Sequence, residues 1–447
     1  MSSHPGVASP ATRKQVALAA SIGNTVESYD FASYAFLATI LAPLFFPNAQ
    51  PGAALLSSFA VFGAAFFARP LGSLVFGPLS DRIGRKPTLV ITLLVMAVAT
   101  TCIGVLPVSA TIGIWAPVLL VVFRLVQGLA VGGEYSSAII YAAEFAPADQ
   151  RGRMTSRVQI GSVAGLLLAA VAVLALNALL TTEQMTSWGW RIPFLLSLPM
   201  GAVGLWLRSK LGETPEFETL ESAEKTVSTP ARAAFAQHWT TMLLIIGVGA
   251  FHTIGFYMVY TYSQSFVIQL GYSRTSATLV IVLALIVGLA LTALGGYLSD
   301  RFGRRVVLRT TSGVVAVAAI PLFHGLATAT NLTVIAALII FLSIGPAIYA
   351  AVAPVTYVEL VPTAVRGTVI GVAYNIVVAI LGGSALYVSQ WLVDTTGDSR
   401  SPAYLLMTAA AISLVATLFI KKTSGPAVQT RLDTEATPQA HVADTVK

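Results

Sequence analysis

Gly77-Pro-Leu-Ser-Asp81-Arg82-Ile-Gly84-Arg85-Lys86 stands in the first half of the chain, and Gly296-Tyr-Leu-Ser-Asp300-Arg301-Phe-Gly303-Arg304-Arg305 stands in the second. Both read G-x-x-S-D-R-x-G-R-(K/R), 219 residues apart. A second pair repeats at an offset of 215: Glu144-Phe-Ala-Pro147-Ala-Asp-Gln-Arg151-Gly152 and Glu359-Leu-Val-Pro362-Thr-Ala-Val-Arg366-Gly367, both E-x-x-P-x-x-x-R-G. Two independent motifs at nearly one offset mark a duplicated unit.

The material between the motifs is apolar. Of 447 residues, 56% are hydrophobic and 10% charged, against about 25% charged in soluble domains. The mean hydropathy is +0.79. This excludes a soluble enzyme, a nucleic-acid binder and a disordered scaffold. Five His and one Cys leave no material for a Cys/His metal site or a disulfide framework, and no phosphate-loop pattern is present. No metal or cofactor is expected, and no enzymatic activity.

A bilayer core needs about 20 apolar residues per helix. Six such runs lie between residues 16 and 208 and six more between 239 and 421. The expected fold is therefore an all-α polytopic membrane protein, with twelve transmembrane helices in two six-helix bundles. The expected domains are a tail (1–15), an N-terminal bundle (16–208), a central loop (209–238), a C-terminal bundle (239–421) and a second tail (422–447). With the N-terminus inside, 21 of the 26 Lys and Arg residues fall on the inner face and three on the outer. That asymmetry places both termini in the cytoplasm, so the net charge of +7 reports topology. The expected location is the plasma membrane, an inner membrane where there are two.

The doubled G-x-x-x-D-R-x-G-R-R loop resembles the signature of the major facilitator superfamily. Gly23-Asn24-Thr-Val-Glu27-Ser28-Tyr29-Asp30-Phe31, Arg69-Pro70-Leu71-Gly72, Arg124-Leu-Val-Gln127-Gly128 and Gly132-Gly133-Glu134-Tyr135 are similar to its metabolite:proton symporter branch. Ser28 departs from that branch, which commonly has Trp there. The resemblance implies that Asp81 and Asp300 each meet a helix of the other half, clamping the cytoplasmic side shut. Arg85 with Glu144, and Arg304 with Glu359, extend the clamp as ion pairs. Gly77, Arg82, Arg151, Gly296, Arg301 and Arg366 complete the candidate gate.

Five ionisable residues sit inside apolar runs: Glu27, Asp30, Arg69, Arg124 and Glu134. Each central charge costs about 2.5–3.5 kcal/mol on insertion scales, so together they must face water or one another. Three acids and two bases form two pairs and leave one acid as a natural proton carrier. Asp30 ranks first for that role, then Glu134, then Glu27. Arg69 suits a substrate carboxylate, and equally a permanent partner in Glu27 or Asp30. Arg124, Asn24 and Gln127 join Arg69 as candidate substrate contacts.

The second half has no Asp, Glu, Lys or Arg well inside its runs. Tyr257 and Tyr260, one turn apart, are expected to share a face toward the solute, and Asn375 in the eleventh run is a further candidate contact. His252, alone on an apolar stretch, reads as a core residue. The resulting expectation is proton-coupled uptake of a small organic acid by alternating access, with proline or betaine symport as the alternative and a proton-driven exporter behind it. The expected partners are a small anionic or zwitterionic solute, protons and lipid, with no nucleic acid, and the chain is expected to act as a monomer. A tail of about 25 residues without heptads weighs against an osmosensing coiled coil.

Overall fold

The computed structural model describes residues 10–83, 85–132, 134–144, 146–209, 231–362 and 366–420. Within these, the side chains of 10–20, 51, 74, 77–89, 207–209 and 231–236 lie outside the described set. Every regular element among the described residues is helical. In lipid the backbone must satisfy its own hydrogen bonds, and a helix does so within one segment.

Twelve helical columns follow in order. The first half contains α1 (Pro10–Phe45), α2 (Pro51–Ile83), α3 (Arg85–Val105), α4 (Trp115–Val131, resumed at Glu134–Glu144), α5 (Arg151–Leu179) and α6 (Ile192–Ser209). The second contains α7 (Ala231–Tyr257, continued through Met258–Tyr262 to Ser263–Gln269), α8 (Arg274–Phe302), α9 (Arg304–Thr328) and α10 (Leu332–Leu360). It closes with α11 (Arg366–Val377, continued through Val378–Gly382 to Gly383–Thr396) and α12 (Pro402–Leu418). Among the described residues, eight helices are long and apolar enough to cross a membrane.

Local chemistry sets the ends. Ser273 Oγ accepts from the backbone N–H of Ser276 (3.1 Å) at the start of α8, and Asn331 Oδ1 from that of Thr333 (2.8 Å) at the start of α10, the usual N-cap device. Gly303 turns α8 into α9 at φ +86°, a left-handed conformation that glycine adopts without penalty.

Three helices are irregular where they pass the centre of the molecule. α4 breaks around Gly132, and α7 and α11 each contain a π turn, at Met258–Tyr262 and Val378–Gly382. Such wide turns shift the register of everything that follows. The halves meet along α2 with α11, α5 with α8 and α10, and the second segment of α4 with the first of α11.

Candidate transport site

Near mid-depth the seam between the halves holds a cavity of about 40 Å³. A water molecule needs about 10–15 Å³ of such space, so the cavity admits only a few. α1 contributes Asn24 and Glu27, α2 Arg69, α4 Tyr135, α7 His252 and Tyr257, and α11 Tyr374. Arg69 Nη2 donates to Glu27 Oε1 at 2.7 Å, both side chains almost fully buried. The Arg69 guanidinium also lies 4.8 Å from the Phe31 ring centre and 4.7 Å from that of Phe66. Asn24 Nδ2 donates to Val158 O (3.0 Å) and to Ser162 Oγ, tying α1 to α5.

Aromatic rings close the cavity above and below. Toward the end of the molecule that carries the basic loops, Tyr135 stacks on Tyr374 across the seam with ring centres 4.6 Å apart. Its hydroxyl donates to Gln159 Oε1 at 2.9 Å. Toward the far end, Tyr257 meets Phe66 and Phe62 edge-on at 5.2 and 6.0 Å.

Asp30 lies off the cavity, fully buried. Ser197 Oγ of α6 donates to its Oδ1, and Thr100 Oγ1 of α3 lies 3.0 Å from its Oδ2. Among the described residues no basic nitrogen comes within 4.0 Å of it. Arg124 is nearby but held elsewhere. Its Nη1 donates to Gln127 Oε1 at 3.0 Å, and its guanidinium lies 4.6 Å from the Tyr34 ring and 4.8 Å from the Phe31 ring.

Several candidate contacts therefore stand elsewhere than expected. Among the described residues one close pair of central charges, Glu27–Arg69, stands where two were expected, because Asp30 is held by hydroxyls and Arg124 by rings and an amide. Arg124 and Gln127 belong to the Asp30 cluster, not to the cavity wall. Tyr260 does not share a face with Tyr257: the π turn swings it against Gly288, where an added Cβ would meet its hydroxyl at 2.5 Å. Asn375 Nδ2 donates to Gly132 O at the break in α4 and to Gly371 O at 2.9 Å, a tether between helices. Glu134 opens the second segment of α4, partly exposed. His252 lies on the cavity wall, its Nδ1 3.2 Å from the Tyr357 hydroxyl. The pattern of charges offered no sign of Tyr374, Gln159, Thr100 or Ser197, which are neutral residues in apolar runs.

At the basic end the two repeated motifs touch. Asp300 Oδ1 and Oδ2 accept from the backbone N–H groups of Gly152 (2.8 Å) and Arg153 (3.0 Å), in the first turn of α5. A carboxylate is favoured at this positive helix end. A Cβ on Gly152 would meet Asp300 Oδ1 at 2.7 Å and Gly296 O at 2.9 Å, so the contact requires glycine. Arg304 bridges Asp300 and Glu359, both at 2.9 Å. Arg366 crosses the seam to Glu144 at 2.7 Å. Arg301 turns away onto the Tyr297 hydroxyl (3.1 Å). Arg151 starts α5 beside this contact. Gly77, Asp81, Arg82 and Arg85 of the first-half motif lie outside the described side chains.

The far end is closed as well. A Cβ on Gly63 of α2 would meet Gly383 O of α11 at 2.6 Å, and one on Gly52 would meet Asp394 Oδ2 at 3.4 Å. Phe59 faces Tyr262 at 6.2 Å.

A twelve-helix membrane protein in two repeated halves, with charges converging on a midplane cavity at their seam, has the build of a secondary transporter. The sequence matches the Major Facilitator Superfamily over residues 28–385, and the chain belongs to that family. Its multi-pass, all-helical fold is that of the family. Similar proteins include a proline/betaine transporter of Salmonella typhimurium, 38% identical over 416 residues, 91% of this chain and 83% of that one. The inner membrane metabolite transport protein YhjE of Escherichia coli is 38% identical over 92% of this chain and 95% of its own length. A citrate-proton symporter of Klebsiella pneumoniae is 34% identical over 91% and 92%. Among solved structures, a partially occluded inward-open form of the E. coli xylose transporter XylE superposes with a TM-score of 0.73 at 20% identity, covering 93% of this chain and 99% of that one.

Proposed function

We propose that this chain is a proton-coupled symporter that carries a small zwitterionic solute of the proline or betaine kind into the cell by alternating access. Both termini then face the cytoplasm, and the bundles at 16–208 and 239–421 rock about the seam. The carrying observation is the Glu27–Arg69 pair on the wall of one small cavity. A solute bearing one positive and one negative charge replaces each residue's partner: its carboxylate meets Arg69 and its ammonium meets Glu27. The faces of Tyr257, Phe31 and Tyr374 suit the ammonium end, where each cation–π contact contributes about 0.5–2 kcal/mol. The proline/betaine relatives agree with this chemistry. The citrate-proton symporter relative favours a second reading, an organic anion at Arg69.

The proton rides on Asp30. A fully buried carboxyl with no cation against it is stable in its neutral form. Arrival of Arg124 beside it expels the proton. With both ends closed and room for only a few waters, the conformation corresponds to the closed, unloaded carrier. One charge moving through 100 mV yields about 2.3 kcal/mol, which drives accumulation. A single chain encloses the whole cavity, so the transport unit is the monomer in its bilayer.

The test is uptake into proteoliposomes under an imposed pH gradient, comparing labelled glycine betaine, proline and citrate. Betaine or proline should accumulate, and a protonophore should abolish the gain. Accumulation that persists with the protonophore present refutes proton coupling, and uptake of citrate alone selects the organic-anion reading.

A further inference from the structure

Asp30 and Arg124 are joined through intermediaries rather than directly. Gln127 Oε1 takes one guanidinium N–H of Arg124 at 3.0 Å, while the Gln127 amide nitrogen donates to Thr100 Oγ1 at 2.5 Å. Thr100 Oγ1 in turn lies 3.0 Å from Asp30 Oδ2 and 2.9 Å from Met96 O, so its one proton has two acceptors to choose between. Arg124 Nε makes no hydrogen bond, which leaves the guanidinium under-satisfied and able to take a better acceptor. Gln127, Thr100 and Arg124 are all fully buried, so no solvent substitutes for any of them.

The remaining charged and titratable groups around Asp30 are few. Its own helix carries Glu27, Tyr29 and Tyr34, α2 carries Arg69, and α7 carries His252 and Tyr257. α3 and α6 offer the hydroxyls of Thr100 and Ser197, and the arginines of α5 stand at its basic end. Arg124 is the cation joined to Asp30 through this chain, and Gln127, the Phe62 carbonyl (3.4 Å) and the surrounding rings hold it in place.

We propose that Gln127 and Thr100 are positioning residues of the proton site: they hold Arg124 one side chain away from Asp30 while the carrier is closed, Ser197 holding the acid itself, and the release of Gln127 lets Arg124 pair with Asp30. This rests on the reading that Asp30 carries the proton. On release, the Asp30 O–H bond breaks, the proton passes to cytoplasmic water, and the carboxylate left behind is balanced by Arg124. Thr100 turns its hydroxyl from Met96 O to the carboxylate as the acid empties. Gln127 thereby moves from the solute site to the coupling site.

Full-length protein in proteoliposomes tests this with glycine betaine, external pH being varied from 5 to 9. Gln127→Leu frees Arg124 to approach Asp30, and an acid beside an arginine loses its proton about one to three pH units lower. Its pH of half-maximal uptake should move to acid by at least about one unit, with KM changed less than about twofold. Thr100→Val also removes a hydroxyl from Asp30 Oδ2, a change that opposes the acid shift, so its limb should lie alkaline of that of Gln127→Leu, and Gln127→Leu/Arg124→Gln should lose the acid shift. An unmoved limb in Gln127→Leu overturns the proposal, as does a KM raised about tenfold with the limb unmoved, which returns Gln127 to the solute site. Variants too slow to assay are read by the infrared carbonyl band of the protonated carboxyl, assigned by its loss in Asp30→Asn; its midpoint should show the same acid shift, and an unshifted midpoint overturns the proposal. Accumulation by Asp30→Asn is a separate result, which removes the underlying assignment of the proton to Asp30.

Discussion

Arg69 and Glu27 share a hydrogen bond of 2.7 Å where neither meets bulk water. Losing one partner of such a pair costs about 3–5 kcal/mol, whereas replacing both with apolar groups of similar size is close to neutral. Glu27→Gln should therefore lower the unfolding temperature in detergent strongly, and Glu27→Leu/Arg69→Met should recover most of it. Neither should transport. Recovery of uptake in the double variant would separate the pair from the solute. Asp398, in the loop before α12, gives a contrasting expectation. Its hydrogen bonds from the Arg400 side chain and backbone hold its carboxyl below the ordinary aspartate range. A depressed value means the contact is fully formed above about pH 4 and is lost only as pH falls through the lower folded value. Asp398→Asn should thus leave the uptake profile between pH 5 and 8 unchanged. What a single residue revealed in the sequence depended on whether it looked out of place. Glu27 and Arg69 did, as charges in apolar runs. Thr100, Ser197 and Tyr374 did not, since hydroxyls and rings are ordinary in membrane helices.

At the scale of elements, spacing was legible and winding was not. The two motif pairs fixed the duplication because identical residues recurred at nearly one offset. Tyr260 leaves the face of Tyr257 because the helix widens through Met258–Tyr262. No residue in that stretch is an obvious helix breaker, so the π turn arises from packing. The contact of Asp300 with the start of α5 carries its own prediction. Gly152→Ala forces the carboxylate and Gly296 away from α5 and should open the basic end. Spin labels placed across the seam there should separate, and accumulation should fall while exchange persists. Asp300→Asn keeps the shape but removes the charge, costing up to about 2 kcal/mol, and should give a smaller shift of the same sign. Unchanged label distances in Gly152→Ala would show that this contact does not hold the end closed.

For the molecule as a whole, the charge asymmetry makes a topological prediction. Tags at either terminus, or at the turn around Gly303, should be reached by membrane-impermeant reagents only from the cytoplasmic face, and the Asp398–Arg400 loop only from the opposite face. Closure at both ends is the property least visible in sequence, because it depends on pairs such as Gly63–Gly383 and Tyr135–Tyr374 that lie far apart in the chain.

The 40 Å³ cavity has a mechanical consequence. Any solute larger than a few waters must be accommodated by dilating the protein, so loading carries a positive activation volume. Compression favours states with less internal void and should trap the carrier in its contracted, unloaded form. Transport should therefore slow steeply under hydrostatic pressure well below the pressures that unfold the helices, and the steepness should grow with the size of the solute carried.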